Sequence, residues 1–479
     1  MTEFDPWKVI DKYFERDMYY LTSHHLDSYN QFVYGDVDDE IGIKYIITRN
    51  NPIKIFKSQQ EGGGFKHEIL IYLAETRDAQ GDIEMSAEEN IVFGKPVLNS
   101  KDSTSYMYPN LARNYNTTYG CNVFINVTII IKENDEVVHH EVRQKINMGK
   151  IPIMVHSDLC YLKNKDKKTL RQLGECPYDR GGYFIIKGKE KVIISQEKKA
   201  DNMMYITKSS DDKYTFESNL KSVSKEGYQS SRTTNIAILK DGSMDVRIYG
   251  LSERIPLFIL FRALGIQSDN EICKYILNED PYHLSTEGGI LMQALMPCIK
   301  KGQNIYNEET ALKYIGLKVS GSVIRRFIID AKHVLNQNFL SNYGNYNLYK
   351  AYYLGYMIKK LLKSSLGMIP LTDRDHYKNK RAELSGFLMN ELYRELVEKF
   401  IENIRIKVDY RYKFDHEQEK LFTDMKDLIH DGNINNIFDY KIIEHDLNKS
   451  FTSRWGTETS SRDDIVQDIN RNTVLGTVS

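Results

Sequence analysis

Two carboxylates, a guanidinium and an imidazole stand together at Asp373-Arg374-Asp375-His376, and such groups could support acid–base chemistry. In a hydrolase, His376 would act as the general base and one of the two aspartates would orient it. That mechanism also needs a nucleophile, and the neighbouring sequence supplies none. Because ion-paired polar junctions are also common in proteins, we predict that this chain contributes no catalytic residue.

Cys160 and Cys176 could act as ligands of a structural zinc ion. Structural zinc sites usually draw on C-x-x-C pairs, and neither cysteine belongs to one. The triplet His139-His140-Glu141 likewise departs from the H-E-x-x-H pattern of zinc peptidases. We therefore predict that both cysteines are buried thiols and that this segment holds no metal ion.

The composition is that of a globular chain with several domains. A length of 479 residues predicts about three domains, and a hydrophobic fraction of 41% is enough to build their cores. The net charge of −1 is unlike that of a free-standing nucleic-acid-binding protein, so any contact with nucleic acid should be local or shared with partner chains. Five scattered cysteines favour a reducing compartment. No stretch approaches the roughly 18 apolar residues of a membrane span, and we expect no membrane contact.

The strongest periodicity in the chain predicts a long helix from about Ala382 to Val408. Apolar residues recur there at every fourth position, with further apolar residues beside them: Leu384, Leu388, Leu392, Leu396, Phe400 and Ile404, flanked by Phe387, Val397 and Ile401. Such a stripe is buried along its whole length and needs a partner surface. From the order of elements along the chain, we expect that partner to be the N-terminal domain.

Strand-like segments occur elsewhere and predict a mixed α+β fold. Val123 to Ile131 is rich in β-branched residues and is followed by a turn at residues 133–136. A second hairpin is predicted at Tyr183–Ile186 and Lys191–Ser195, joined by a charged turn from Lys187 to Glu190 that faces water. A helical hairpin is predicted over residues 319–366.

Four runs of sequence are too specific for any generic fold. They read SHHLDSYNQFV at 23–33, YPNLARNYNTTY at 108–119, GKIPIMVHS at 149–157 and GECPYDRGGYFIIKGKEKVIISQE at 174–197. Together they resemble the second-largest, beta-type subunit of multisubunit DNA-directed RNA polymerases. The resemblance is collinear from about Leu21 to Ser479 and is closer to eukaryotic-type than to bacterial subunits. A bias towards Lys, Asn, Ile and Tyr suggests an AT-rich genome, such as that of a large DNA virus.

The resemblance implies an α+β, multidomain fold with mixed sheets, packed helices and one domain inserted into another. Residues 1–204 would form the first part of a protrusion domain, and 205–374 an inserted lobe. Residues 375–440 would return to the protrusion, and 441–479 would begin the fork.

The candidate binding residues lie in the last of these segments, which reads RWGTETSSRDDIVQDINR from Arg454 to Arg471. It resembles the fork of the family, in which a tryptophan-glycine turn leads into a loop and then a helix. The resemblance places this loop beside the RNA–DNA hybrid, where Arg462 and Arg471 would neutralise phosphates and Gln467 would hydrogen-bond the hybrid or support the loop. Carboxylates depart from the family pattern at 463, 464 and 468. The alternative is therefore that both arginines only pair with these aspartates.

The same resemblance implies a component of a nucleotidyltransferase that is inactive alone. The catalytic Mg²⁺ of this class is held by an aspartate triad of the largest subunit, and no D-F-D-G-D motif occurs here. We expect no cofactor on this segment itself. The expected partners are the largest and other polymerase subunits, the DNA template, the RNA–DNA hybrid and initiation factors. The expected location is the nucleus, or the virion or a cytoplasmic factory if the source is viral.

The family pattern continues past Ser479, so we expect a fragment, a split gene product or one side of an insertion. An interaction module that binds polymerase or its factors without entering an active enzyme is the second hypothesis. A third, an independent single-strand binder, conflicts with the net charge of −1.

Overall fold

The computed structural model describes residues 5–14, 19–35, 41–59, 65–78, 80–99, 104–134, 136–223, 231–319, 326–417, 428–430, 432–457 and 461–473. The chain forms two compact units. Unit 1 is made of Met1–Gln196 together with Ala382–Ser479, and unit 2 of Glu197–Arg381. Because unit 2 interrupts the sequence of unit 1 and both units combine helices with sheets, the predicted α+β fold with an inserted domain is confirmed.

Helices occur in both units. In chain order they are α1 (Pro6–Phe14), α2 (Ser23–Tyr34), α3 (Ile43–Thr48), α4 (Ala87–Asn90), α5 (Pro109–Asn114), α6 (Lys167–Gln172), α7 (Leu257–Ala263), α8 (Asp269–Leu277), α9 (Thr286–Gly302), α10 (Glu308–Gly316), α11 (Phe327–Gln337), α12 (Asn347–Ser365), α13 (Ser385–Glu417), α14 (Ile434–Ile437) and α15 (Lys441–Thr452). Among these described helices, none is both long and apolar enough to cross a bilayer.

The strands are mostly short. In chain order they are β1 (Ile53–Gln59), β2 (Phe65–Leu73), β3 (Thr76–Arg77), β4 (Ile83–Met85), β5 (Ile91–Phe93), β6 (Val97–Asn99), β7 (Thr104–Tyr106), β8 (Gly120–Glu133), β9 (Glu136–Pro152), β10 (Phe184–Ile186), β11 (Lys189–Ile193), β12 (Gln196–Lys199), β13 (Met204–Lys208), β14 (Tyr214–Ser222), β15 (Arg232–Leu239), β16 (Met244–Arg247), β17 (Ile255–Pro256), β18 (Lys380–Glu383) and β19 (Val466–Asp468).

The largest sheet of unit 1 is antiparallel and is built around the long hairpin of β8 and β9. β8 pairs with β9 on one side and with both β2 and β5 on the other, and β1 extends the sheet beyond β2. The predicted hairpin turn after Val123–Ile131 is confirmed, since β8 ends at Glu133 and β9 begins at Glu136. The residues of β8 that point into the core are β-branched or small, as expected for a strand covered by helices.

The predicted long helix is α13, which begins three residues later than expected and extends nine residues beyond Val408. Its apolar stripe is buried from Leu388 to Ile404, whereas Phe387 is 47% exposed and does not flank the core as predicted. The stripe packs on the N-terminal part of unit 1, where the ring of Tyr393 lies 5.9 Å from that of Phe32 in α2. The predicted partner of this helix is therefore confirmed.

α13 begins with a close approach between two backbones. A Cβ atom added to Gly386 would lie 1.8 Å from the carbonyl oxygen of Ser28 in α2. The amide of Gly386 also donates a hydrogen bond to the Ser28 hydroxyl at 3.0 Å. Only glycine permits this separation, so residue 386 sets how closely α13 and α2 can pack.

Unit 2 has a five-stranded antiparallel meander, β13 to β17, and a core that it shares with helices α7 to α12. α12 is positioned partly by Lys350, whose buried ammonium donates to the carbonyls of Leu335 and Asn336, at the C-terminal end of α11, at 2.7 and 3.1 Å. Burial lowers the pKa of Lys350 to about 8. The helical hairpin predicted over residues 319–366 corresponds to α11 and α12, and residues 320–325 lie outside the described residues.

The α13 stripe predicts different costs for two adjacent truncations. Leu388→Ala should lower the free energy of unfolding of unit 1 by about 2–5 kcal/mol, because it leaves a cavity in a fully buried site. Phe387→Ala, in the same turn but half exposed, should change it by less than about 1 kcal/mol. Urea unfolding followed by circular dichroism measures both. Equal losses for the two variants would show that the stripe is not the packed face.

Candidate nucleic-acid interface

The hairpin predicted at Tyr183–Ile186 and Lys191–Ser195, which we call the signature hairpin, forms a sheet with the last described strand of the chain, β19. β10 and β11 are joined by a tight turn at Lys187-Gly188, where both residues have positive φ angles of 48° and 78°. β19 pairs antiparallel with β11, with Gln467 opposite Val192. The family-like run at 174–197 thus positions the segment that carries the candidate binding residues.

The loop before β19 is closed by two backbone hydrogen bonds. Trp455 and Arg462 each donate an amide to the other's carbonyl, at 3.0 and 2.7 Å. The indole of Trp455 is buried and meets Phe451 of α15 edge-on, with ring centroids 5.4 Å apart. This aromatic anchor fixes both ends of the loop, and residues 458–460 within it lie outside the described residues.

Arg462 emerges at the end of this loop with its side chain 50% exposed. Its guanidinium nitrogens lie 3.8 Å from Glu383 and 3.7 Å from Glu391. These separations are longer than hydrogen bonds, although the two carboxylates are much less exposed than the arginine, with side-chain exposures of 8% for Glu383 and 27% for Glu391. Half of the Arg462 side chain is therefore open to solvent and accessible to a phosphate.

Arg471 is held far more firmly. Its Nε and Nη2 donate to the two carboxylate oxygens of Glu190 at 2.7 and 3.0 Å, and its guanidinium carbon lies 5.0 Å from the centroid of the Tyr183 ring. The carboxylate of Asp179 is 3.7 Å away. The hydrogen bonds to Glu190 raise the pKa of Arg471, although partial burial opposes the shift.

A second arginine, Arg113 of the YPNLARNYNTTY run, shares the same carboxylate. Its Nε donates to Glu190 at 2.8 Å, and its other nitrogens reach Glu175 at 3.2 Å and the Tyr183 hydroxyl at 2.6 Å. We call Arg113, Glu175, Asp179, Tyr183, Glu190 and Arg471 the Glu190 cluster. It joins three distant parts of the chain.

Burial and charge act in opposite directions on the carboxylates of this cluster. Burial would raise the pKa of Glu190, but the hydrogen bonds and charges of Arg471 and Arg113 outweigh it and lower that pKa. Burial prevails at Glu175, whose pKa is raised although the amide of Asn110 and Arg113 oppose the shift. Glu190 is therefore the carboxylate of this cluster whose charged form the two arginines stabilise most clearly.

Sequence reasoning missed this cluster. The hairpin turn was predicted to face water from Lys187 to Glu190, yet the Glu190 side chain is only 18% exposed. The available signal was that both Arg113 and Glu190 lie within runs that resemble the polymerase family. The alternative prediction, that Arg462 and Arg471 pair with the nearby aspartates, gave the wrong carboxylates. Asp463 pairs with Arg454 at 3.1 Å and Asp468 pairs with Lys191, whereas Arg462 lies near Glu383 and Arg471 binds Glu190.

The resemblance implied that Gln467 lies on a helix, but the structure shows that it does not. It is an exposed residue of β19, and residues 469–473 continue without helical structure. The reason is local, because Ile465 and Val466 are β-branched and the edge of β11 offers them a pairing partner. Arg462, Gln467 and Arg471 thus lie within one stretch, with Arg462 and Gln467 exposed and Arg471 bound to Glu190.

The other motifs that the sequence offered for catalysis or metal binding do not come together as a site in the described residues. His376 accepts a hydrogen bond from the backbone amide of Lys378 at 3.1 Å, and Asp373 accepts one from the amide of Asp375 at 2.9 Å, so these side chains stabilise an exposed local turn. Cys160 is buried, but Cys176 is exposed, contrary to prediction, because it lies in a surface turn. In the part of the chain that is described, no three His, Cys, Asp or Glu side chains converge as metal ligands would.

Comparison with known proteins gives the family. A family model described as RNA polymerase beta subunit matches residues 20–436. The chain belongs to the RNA polymerase beta subunit family. The predicted resemblance is thereby confirmed, and the match covers the runs at 23–33, 108–119, 149–157 and 174–197.

Individual members of the RNA polymerase beta subunit family are similar over most of the chain. This chain is 33% identical to DNA-directed RNA polymerase II subunit 2 of Arabidopsis thaliana, in an alignment that covers 85% of this chain and 34% of that protein. It is 31% identical to DNA-directed RNA polymerase subunit Rpo2 of Saccharolobus shibatae, covering 84% of this chain and 32% of that protein. DNA-directed RNA polymerase II subunit RPB2 of Schizosaccharomyces pombe is 28% identical over 100% of this chain and 39% of its own length. The chain therefore spans about a third of the length of these relatives.

Glu190→Gln tests the cluster through its pH dependence. Because the folded-state pKa of Glu190 is depressed, its contribution to stability is complete above the unfolded value of 4.5 and is lost as the pH falls through the lower folded value. At pH 7 the variant should be about 1–3 kcal/mol less stable than the wild type, and the difference should shrink as the pH falls below 4.5.

Denaturant unfolding between pH 7 and pH 3 would measure this difference. Glu88→Gln is the matched control, since Glu88 makes an exposed ion pair with Lys44 in the same unit. The control should match the wild type at every pH. A Glu190→Gln variant as stable as the wild type at pH 7 would contradict the role given to the cluster.

Proposed function

We propose that this chain is the N-terminal part of the second-largest subunit of a DNA-directed RNA polymerase. In DNA-templated transcription it forms one side of the DNA cleft and part of the surround of the RNA–DNA hybrid. The observation that carries this proposal is the family match over residues 20–436, together with the alignment of the whole chain to a polymerase II subunit.

Within this proposal the domains have the roles that the resemblance implied. Residues 1–204 and 375–440 form the protrusion, residues 205–374 form the lobe, and residues 441–479 begin the fork. The largest subunit and the other polymerase subunits are the protein partners, and initiation factors bind the protrusion and lobe. The chain works where transcription occurs, in the nucleus or, for a viral source, in the virion or a cytoplasmic factory.

The chemistry of nucleotide addition comes from elsewhere in the assembly. Phosphoryl transfer in this class depends on Mg²⁺, which polarises the phosphate and activates the attacking hydroxyl. We assign that ion to the aspartates of the largest subunit, and we assign this chain the task of holding nucleic acid in place. It therefore acts as a component of a nucleotidyltransferase and has no activity alone.

The three candidate binding residues receive different roles. Arg462 is half exposed and loosely paired, so it is the residue suited to contact a phosphate of the hybrid. Arg471 is tied to Glu190, and its role is to fix the segment after β19 against the signature hairpin. Gln467 is exposed between them and can hydrogen-bond the hybrid.

Reconstitution tests the main proposal. The chain would be combined with the largest subunit, the other polymerase subunits and a polypeptide that supplies the remaining two-thirds of a second-largest subunit, and assayed for Mg²⁺-dependent primer extension on a DNA template. We expect extension only when this chain is present, and none from the chain alone. Extension that proceeds equally well without it would contradict the proposal.

Two arginine substitutions test the division of roles within that assembly. Arg462→Ala should weaken binding of an RNA–DNA hybrid and reduce the slope of log affinity against log salt by about 1, because one phosphate contact is lost, and it should lower thermal stability less than Arg471→Ala does. Arg471→Ala should instead lower the stability of this chain by about 1–3 kcal/mol, because Glu190 loses one of its two charged donors.

Filter binding across a salt series and thermal unfolding measure the two effects. Arg374→Ala, an exposed arginine of unit 2, is the control and should change neither. An Arg462→Ala variant with an unaltered salt slope would remove this residue from the interface.

A further inference from the structure

Five tyrosines line a concavity of about 340 Å³ on unit 2. One precedes α12 and four belong to it: Tyr343, Tyr349, Tyr352, Tyr353 and Tyr356. The four on α12 recur at positions i, i+3, i+4 and i+7, so they share one face of the helix. Other residues of α12, including Leu354, Met357 and Ile358, are fully buried in the core of unit 2, so the tyrosines lie on the side of the helix that faces away from this core.

Three of the five tyrosines are exposed, and the two partly buried ones, Tyr343 and Tyr353, pack against the core of unit 2. Tyr349, Tyr352 and Tyr356 are each more than half exposed. Tyr353 lies between its neighbours, with its ring centroid 5.3 Å from that of Tyr343 and 5.9 Å from that of Tyr356. Burial raises the pKa of Tyr353 to about 12, helped by these two neighbours. A contiguous aromatic surface of this kind marks a binding site, because rigid tyrosines contribute large contact areas with little loss of entropy.

The charge beside the tyrosines is positive. α12 contains four lysines and no acidic residue. The ammonium of Lys360 lies 6.0 Å from the ring centroid of Tyr356, at the edge of the concavity. Residues 197–381 contain 27 Lys and Arg against 19 Asp and Glu, so unit 2 carries a net charge of +8 within a chain whose total is −1. The concavity therefore favours an occupant with acidic residues.

We propose that this tyrosine-lined concavity binds a proline-rich segment of another protein, in the polyproline II conformation, with an acidic residue beside the prolines. A polyproline II helix has no internal hydrogen bonds, so its carbonyls are free to accept hydrogen bonds from tyrosine hydroxyls, while its prolines pack between aromatic rings. The acidic residue would pair with Lys360. The ligand must come from another chain, because the ten prolines of this sequence are isolated, the two closest being Pro96 and Pro109.

Single-stranded nucleic acid also stacks on aromatic side chains, but it needs several cations along its backbone. Three of the four lysines of α12 are already engaged. Lys350 is buried against backbone carbonyls, Lys359 donates to the carbonyl of Leu277 at 2.5 Å, and Lys363 pairs with Glu287. One remaining lysine beside five tyrosines suits a peptide with few charges better than a chain of phosphates.

The probe is a fluorescein-labelled peptide of about twelve residues, or four turns of polyproline II helix, with glutamate at every third position and proline elsewhere. Fluorescence anisotropy with the full chain should show saturable binding. Tyr349→Ala and Tyr356→Ala should each weaken binding at least about tenfold, as expected for aromatic anchors. Tyr282→Ala, which removes an exposed tyrosine elsewhere in unit 2, should leave binding unchanged.

Two matched peptides and one further variant complete the test. Replacement of every proline by alanine should abolish binding, and replacement of every glutamate by lysine should weaken it. Lys360→Glu should reverse the preference between the glutamate and lysine peptides. If the tyrosine variants have lowered thermal midpoints, this reversal is the test of the proposal, because it does not depend on their folding. The proposal is overturned if the wild type shows no saturable binding, if the alanine peptide binds equally well, or if Tyr349→Ala binds like Tyr282→Ala. Displacement of the peptide by a tighter-binding oligo(dT) of the same length would also overturn it in favour of nucleic acid.

Discussion

The contact between α13 and α2 is the constraint on which unit 1 depends. It joins two segments of the chain that are separated in sequence by the whole of unit 2, and it does so with backbones close enough for Gly386 to touch the carbonyl of Ser28. The buried stripe from Leu388 to Ile404 then completes the core around the long β8–β9 hairpin. A contact between such distant segments is expensive in chain entropy, and a wide apolar face is what offsets that cost.

A second long-range contact is electrostatic. Glu190 binds Arg113 and Arg471, which lie in the first and last parts of unit 1, and the ring of Tyr183 is flanked by both guanidinium groups. Two cations around one carboxylate would be unfavourable in a dry interior, but Glu175 and Asp179 complete the arrangement. The result is a polar cluster whose members satisfy one another, whereas Arg462, which lies near Glu383 and Glu391 instead, stays half exposed.

The sequence was informative wherever a regular pattern met a buried surface. The α13 stripe, the β8–β9 turn and the signature hairpin were predictable because period and turn chemistry are local properties. Phe387 broke the pattern because the width of the buried face depends on the partner helix, which the sequence of α13 does not contain. The helix implied for this segment is instead a strand at Gln467 and irregular chain at Arg471, because the free edge of β11 became available only in the folded chain.

The candidate site was predictable in composition but not in contacts. Arg462 and Arg471 look equivalent in sequence, each near aspartates, yet one is loosely paired and the other tightly bound. The partners that separate them, Glu383, Glu391 and Glu190, lie far away along the chain, so no local reading could rank the two arginines. The runs that resembled the polymerase family nevertheless contained Arg113 and Glu190. A family-like run with no catalytic residue can therefore mark a place where distant parts of the chain are joined.

The pairing of β19 with β11 has a consequence for the behaviour of the protein during synthesis. Until Val466–Asp468 emerges and pairs, β11 presents an open row of amides and carbonyls beside the apolar strand β10. Unpaired edges of this kind template intermolecular strand addition, and a three-residue covering strand is short enough to offer little template of its own. Versions of this chain that stop before Ile465 would leave this edge open and would also lose the buried Ile465 side chain, so we expect them to self-associate.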